Sequence, residues 1–240
     1  NNAGNWNIAI GVDAMGAANA GTDDNAATNS NIAIGHEALK VQNGITGTVG
    51  NTAVGYQAGL AITNAVSNTA IGAWALKTDD ESDGSTAIGY GALYTQNGGT
   101  GNSGNTGVGY AAGYTNVTGT NNTYIGYSAG LGGTGNNQYN TGVGANAMLS
   151  ITDGAFNAVV GSRAADALTA GSFNVMMGDY AGSTTQDVDK TIIIGHSAAG
   201  SGNMTSAADG TIAIGYSALN KLVSGIGNIA IGSGSMEENQ

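Results

Sequence analysis

Asn51-Thr-Ala-Val-Gly-Tyr-Gln-Ala-Gly59 is one copy of a unit that returns along the whole chain. Its central glycine recurs at Gly11, Gly35, Gly55, Gly72, Gly89, Gly109, Gly126, Gly144, Gly161, Gly178, Gly195, Gly215 and Gly232. The intervals are 24, 20, 17, 17, 20, 17, 18, 17, 17, 17, 20 and 17 residues. One length dominates and the rest add short inserts, which is the mark of a repeat protein.

With each glycine set at position 0, position −1 is Ile, Val or Met in every copy, from Ile10 to Ile231. Position +3 is alanine from Ala14 to Ala218, and Ser235 in the last copy. Position −4 is asparagine except at Ser85, Thr191 and Thr211, all short polar types that bond to nearby backbone. A β-branched residue, a small residue, a β-branched residue and glycine make a short-strand signature. One such strand buries no core by itself, whereas stacked copies pair their backbones above and below.

The reading is an all-β fold, a parallel β-solenoid (β-roll) of thirteen coils of about 17 residues, forming a single domain over residues 1–240. Each coil is expected to hold two short strands and two turns, with the position −1 aliphatics as one continuous inward column. The glycine needs either a positive φ or a close backbone neighbour, and alanine at +3 argues for close approach. That implies a very flat coil or several chains wound together. Hydrophobic side chains look too few to close a thick monomeric core, so a homotrimer is expected.

Composition limits the function classes. Only 9% of residues are charged, 6% are aromatic and 43 are glycine, which suits repeated ladders better than a globular core. Strict columns argue against disorder, and the absence of proline and of a three-residue period against collagen. A net charge of −11 with five Lys and Arg argues against nucleic acid as a partner. No apolar run approaches membrane-spanning length, so no membrane insertion by this segment is expected. Without cysteine there are no disulfides or thiolate metal sites. Residues Gly16 to Ser30 form the longest insert, and Val41 to Gly50, Tyr94 to Gly104 and Gly200 to Gly210 carry smaller ones. Such inserts leave a solenoid at one edge and often form its binding face.

The unit Asn-[Thr/Ile]-Ala-[Ile/Val]-Gly-x-x-Ala resembles the head repeats of trimeric autotransporter adhesins, the YadA-like β-roll. The longer form in Asn51 to Gly59 and in Ser85-Thr-Ala-Ile-Gly-Tyr-Gly-Ala-Leu93 resembles repeats of phage tail-fibre proteins. The resemblance implies a left-handed β-roll, three chains around one axis, and a non-catalytic attachment role on a virion or bacterial surface. Partners would be the chain itself and a surface glycan or host receptor, with extracellular localisation. The alternatives are a purely structural fibre spacer and an ice-binding solenoid. The usual adhesin repeat is shorter than 17 residues, so the coil cross-section is expected to differ.

Several side-chain groups could carry recognition. His36 and His196, both at position +1, are expected on a wet surface or groove. Tyr56, Tyr90, Tyr110, Tyr127 and Tyr216 share that column, and Trp74 lies one residue further on. Trp74, Tyr90, Tyr110 and Tyr127 form either a self-stacking ladder or a shelf for sugar rings, with Gln96, Asn97 and Asn102 to orient hydroxyls. Asp79, Glu81 and Asp83 alternate before Gly84 as in calcium loops, but Tyr90 stands where the closing bidentate Glu belongs. A solvated acidic turn is the competing account, and no other cofactor is expected. The threonines Thr52, Thr69, Thr86, Thr106, Thr123 and Thr141 at position −3 would suit an ice-binding array. That column changes to isoleucine elsewhere, which points instead to an inward or chain–chain position. No paired carboxylates or Ser-His-Asp set stand out, so the chain is read as no enzyme.

Overall fold

A computed structural model of the chain describes residues 6–16, 28–42, 47–99 and 101–237. Most of the Gly16 to Ser30 insert, and part of Val41 to Gly50, lie outside the described residues. The protein is an all-β parallel β-solenoid of about 11 turns with almost no helix. It resolves into two compact units, Asn1–Thr120 and Asn121–Gln240. Among the described residues the first unit carries six ladder strands: Ile8–Ile10, Ile32–Ile34, Thr52–Val54, Thr69–Ile71, Thr86–Ile88 and Thr106–Val108. The second carries seven: Thr123–Ile125, Thr141–Val143, Ala158–Val160, Val175–Met177, Ile192–Ile194, Ile212–Ile214 and Ile229–Ile231.

Within each unit every strand pairs in parallel with the next copy and in strict register, Thr52 opposite Thr69 and Val159 opposite Met176. The second strand expected in each coil is mostly missing. Among the described residues, two-residue strands pair only at Thr28–Asn29 with Gly47–Thr48 and at Ser82–Asp83 with Gly101–Asn102. Each coil turns after its glycine through left-handed residues at positions +2 and +4, as at Trp74 (64°) and Leu76 (48°). Its backbone still bonds copy to copy: Trp74 N donates to Tyr56 O at 2.9 Å, and Leu76 N to Ala92 O at 3.1 Å.

The glycine column has both of its possible causes. Gly55 sits at φ 137°, and a Cβ added there would lie 2.6 Å from the carbonyl carbon and oxygen of Gly72. Successive coils touch backbone to backbone at this corner. Alanine at +3 lines the inside of the same corner: Ala58 N bonds back to Gly55 O at 3.4 Å, and Ala58, Ala75 and Ala92 are buried within one chain. Of the two explanations for the small columns, the flat coil therefore suffices.

The aliphatic column at −1 does not point inward, which corrects the sequence reading. Strand side chains alternate, and the buried member is position −2: Ala33, Ala53, Ala70 and Ala87 in the first unit, Tyr124, Val159, Met176 and Ile193 in the second. Ile71, Ile88, Ile125, Val160 and Met177, at −1, are 37–43% exposed. The threonines at −3 share that outward face, half-buried or exposed and not inward. A flat coil has room inside only for one row of side chains from each strand, and asparagine at −4 fixes which row that is.

That asparagine is the polar frame of the coil. Asn68 Oδ1 accepts from Ser85 N at 2.7 Å, and its Nδ2 donates to Ser82 O at 2.8 Å. Asn157 repeats both bonds, accepting from Asn174 N at 3.0 Å and donating to Gly171 O at 2.8 Å. One buried side chain thus ties its own turn to the next coil. The apolar interior is filled by exchange of volume between positions −2 and +4. Where −2 is Ala33, Ala70 or Ala87, +4 is Leu39, Leu76 or Leu93, while beside Ala53 position +4 is Gly59, against which Ile62 and Leu39 pack. Where −2 is Tyr124 or Met176, +4 is glycine, because a Cβ on Gly130 would lie 2.2 Å from the Tyr124 ring and one on Gly182 2.6 Å from Met176 Sδ.

Candidate functional site

The corner after the glycine carries the aromatic column at +1 and +2, placed on the surface because alanine at +3 takes the interior. In the first unit His36 stacks on Tyr56 with centroids 5.5 Å apart. Tyr90 and Tyr110 lie parallel within 6° at 5.1 Å. Trp74 packs between Tyr56 and Tyr90 at 6.3 and 5.1 Å, tilted by more than 50° to each. A second pair, Tyr94 and Tyr114, stacks at 4.7 Å one turn further round, and Lys77 Nζ sits 5.1 Å over Trp74 and 5.5 Å over Tyr94. The structure brings Trp74, Tyr90 and Tyr110 together; Tyr127 belongs to the second unit, where it is exposed.

Ring orientation bears on what this column can bind. Sugar stacking needs an open aromatic face, and parallel rings one coil apart spend their inner faces on each other. Trp74 Nε1 is also engaged, donating to Gln57 Oε1 at 3.1 Å. Of the three amides assigned to orient hydroxyls, Asn97 and Asn102 are exposed, and Gln96 is not available. Gln96 is fully buried, with Nε2 donating toward Ser85 Oγ at 2.8 Å, Ser103 Oγ at 2.9 Å and Asp79 Oδ2 at 3.2 Å, while Oε1 accepts from Asn105 at 3.0 Å. The reason is local. Ser85 replaces asparagine at −4 and is too short to span the coil, so Gln96 reaches in from the opposite side.

Asp79, Glu81 and Asp83 do not converge on a cation. Asp79 is buried and accepts from Ser82 N and Gln96, Asp83 accepts from Val66 N at 2.7 Å, and Glu81 accepts from Asn64 at 3.5 Å. Among the described residues no three His, Asp or Glu side chains gather into a group that would hold a metal ion. Alternation along a strand-like turn sends neighbouring carboxylates to different surroundings, where a calcium loop would curl them together. Burial pushes the Asp79 carboxyl up to about 7, against hydrogen bonds from Ser82 and Gln96 that pull it down.

The histidines are surface residues. His36 lies 3.7 Å from Glu37, whose carboxyl is held below its ordinary value by hydrogen bonds from Lys40 and Gln57. His196 stacks on Tyr216 at 5.6 Å and lies 3.4 Å from Asp179 Oδ2. Arg163 Nη1 donates to the Tyr180 hydroxyl at 2.7 Å in the same region of the second unit.

One exposed aromatic group escaped the sequence reading. Tyr139, Phe156 and Phe173, all at position −5, form a parallel stack with centroids 4.9 and 5.1 Å apart. Each adopts a left-handed backbone, φ 55°, 58° and 62°, in a column that elsewhere is mostly Ser, Gly or Asn. The signal was legible as three aromatics at intervals of 17, but attention to the residues after the glycine missed those before the strand. No family model, curated protein or solved structure matches this chain.

Proposed function

We propose that this chain is a segment of a non-catalytic, extracellular attachment fibre in which three copies, each of thirteen coils, lie side by side along their outward strand faces. The observation that carries the reading is that face. Positions −3 and −1 hold Ile, Val, Met, Thr and Ala and no charged residue at all, yet in the single chain they are half-buried or exposed. Soluble monomers rarely leave a continuous apolar strip open to water. A chain with net charge −11 has few surfaces on which copies can meet without repulsion, and this is one. A further copy also has the same coil spacing, so ridges and troughs mesh in register over many coils.

The resemblance to adhesin heads and tail-fibre repeats supplies the attachment role, on a virion or cell surface, with a surface glycan or host receptor as ligand. Light scattering on the purified chain is the direct test, with three times the chain mass expected. A monomer with its β circular dichroism intact overturns the reading. A glycan array then separates attachment from a spacer role, since a spacer binds nothing on it. One observation favours a second reading. Thr52, Thr69, Thr86 and Thr106 point outward in register, as an ice-binding face requires. Thermal hysteresis by a monomeric chain would decide for ice.

A further inference from the structure

Resting on the assembly proposed above, we infer that the Tyr139–Phe156–Phe173 stack is the clasp by which one copy of the chain grips the next. Three facts converge on it. The rings are 50%, 51% and 55% exposed although they stack on one another, so folding of the single chain leaves half of each in water. Each occupies a left-handed backbone position that bulky side chains disfavour and that Ser, Gly, Asn or Lys fill in most other copies. The coil needs that backbone conformation but has no use for an aromatic ring there.

The third fact is continuity. Through Phe156, Asn157, Ala158, Val159 and Val160, exposure alternates from exposed to buried at every step. Position −5 therefore lies on the same outward side as −3 and −1. The stack precedes the in-register rows Thr141, Ala158 and Val175 at −3 and Val143, Val160 and Met177 at −1. This is where the apolar face is widest in the described part of the second unit. None of these nine side chains carries a charge, and a ridge repeating every coil matches a row repeating at the same pitch. The occupant is accordingly a second copy of this chain. A glycan is the poorer fit, because the inner ring faces are spent within the stack.

The test compares the full chain with Phe156→Asn and with the triple variant carrying Asn at 139, 156 and 173, by sedimentation and by circular dichroism. Asparagine tolerates the left-handed backbone, so the substitution removes the ring contacts and keeps the backbone conformation of the coil. Ala158→Glu is the second probe, since residue 158 is exposed in the single chain and the new charge meets water until a partner covers it. The expected result is an associated wild type, at least tenfold weaker association of Phe156→Asn and Ala158→Glu, and unchanged β content in both. An associated wild type whose variants associate equally well refutes the clasp and leaves the fibre reading standing. A monomeric wild type refutes both. Variants that lose melting temperature at equal mass show the stack to be a stabiliser of the single chain, which also overturns the inference.

Discussion

Seven residues after the coil glycine, Asp79, Gln96 and Asn116 in the first unit occupy the place that Ile151, Leu168 and Leu222 hold in the second. All six are buried. The first unit meets the cost with a network through Ser85, Ser103 and Asn105, though Asn116 Oδ1 remains without a hydrogen-bond partner. At Ile151, Leu168 and Leu222 the second unit fills that space with hydrocarbon, as Ile62 does in one coil of the first, while Thr185 keeps one coil of the second polar; Tyr124 and Met176 add volume from the strand side. Backbone geometry hardly differs: the glycine column, the asparagine frame and the left-handed positions recur in both. Coil shape is thus set by a few backbone-directing positions, and the interior can be polar or apolar where most buried polar groups find partners.

The contrast yields graded tests. Tyr124→Ala is expected to have the largest effect, removing about 3–5 kcal/mol from thermal or denaturant stability, because Gly130 leaves nothing to refill the space. An unchanged melting temperature would mean that the ring is not the core of its coil. In the first unit the sensitive variable is pH. Asp79 has a native value near 7 against an ordinary 3.8, so the native chain keeps a proton that the unfolded chain has released. Its contribution is therefore full below about pH 4 and is lost as pH rises through 7, about 4 kcal/mol in total. Unfolding midpoints measured from pH 4 to 8 should fall for the wild type and flatten for Asp79→Asn. A flat wild-type profile would refute a buried neutral acid.

Substitution of the frame should be indifferent to the contrast. Asn68→Ala and Asn157→Ala each strand buried backbone groups and should cost about 2 kcal/mol, equally in either unit. Unequal losses in urea titrations would show that interior chemistry reaches the frame. The smallest effect is expected at the surface. Tyr90→Ala breaks a parallel stack and should lower stability by about 1 kcal/mol. Unchanged stability together with lost binding on a glycan array would restore the row as a sugar site.

The register of the ladder was legible because thirteen glycines and their neighbours repeat with so few length changes. The inward row was not. Ile10 to Ile231 looked like core because they are apolar in every copy, whereas the interior takes Ala70 where Leu76 fills the space from +4 and Met176 where +4 is Gly182. Gln96 misled for a related reason. A glutamine in an insert reads as surface until the short side chain at Ser85, eleven residues earlier, is seen to need a partner. The Tyr139, Phe156 and Phe173 column was visible as spacing, while its left-handed backbone had no signature, since turn chemistry predicts glycine or asparagine there.

By itself, then, the sequence determined the repeat, the parallel ladder and the crowded glycine corner, since each depends on local sterics and on identical copies meeting in register. Which face of each strand turns inward was decided only by tertiary structure. So were the protonation of Asp79 and the exposure of the aromatic stack, because burial depends on what the other side of the coil contributes. That contribution comes from residues whose partners lie a turn or a coil away, and no local pattern records it.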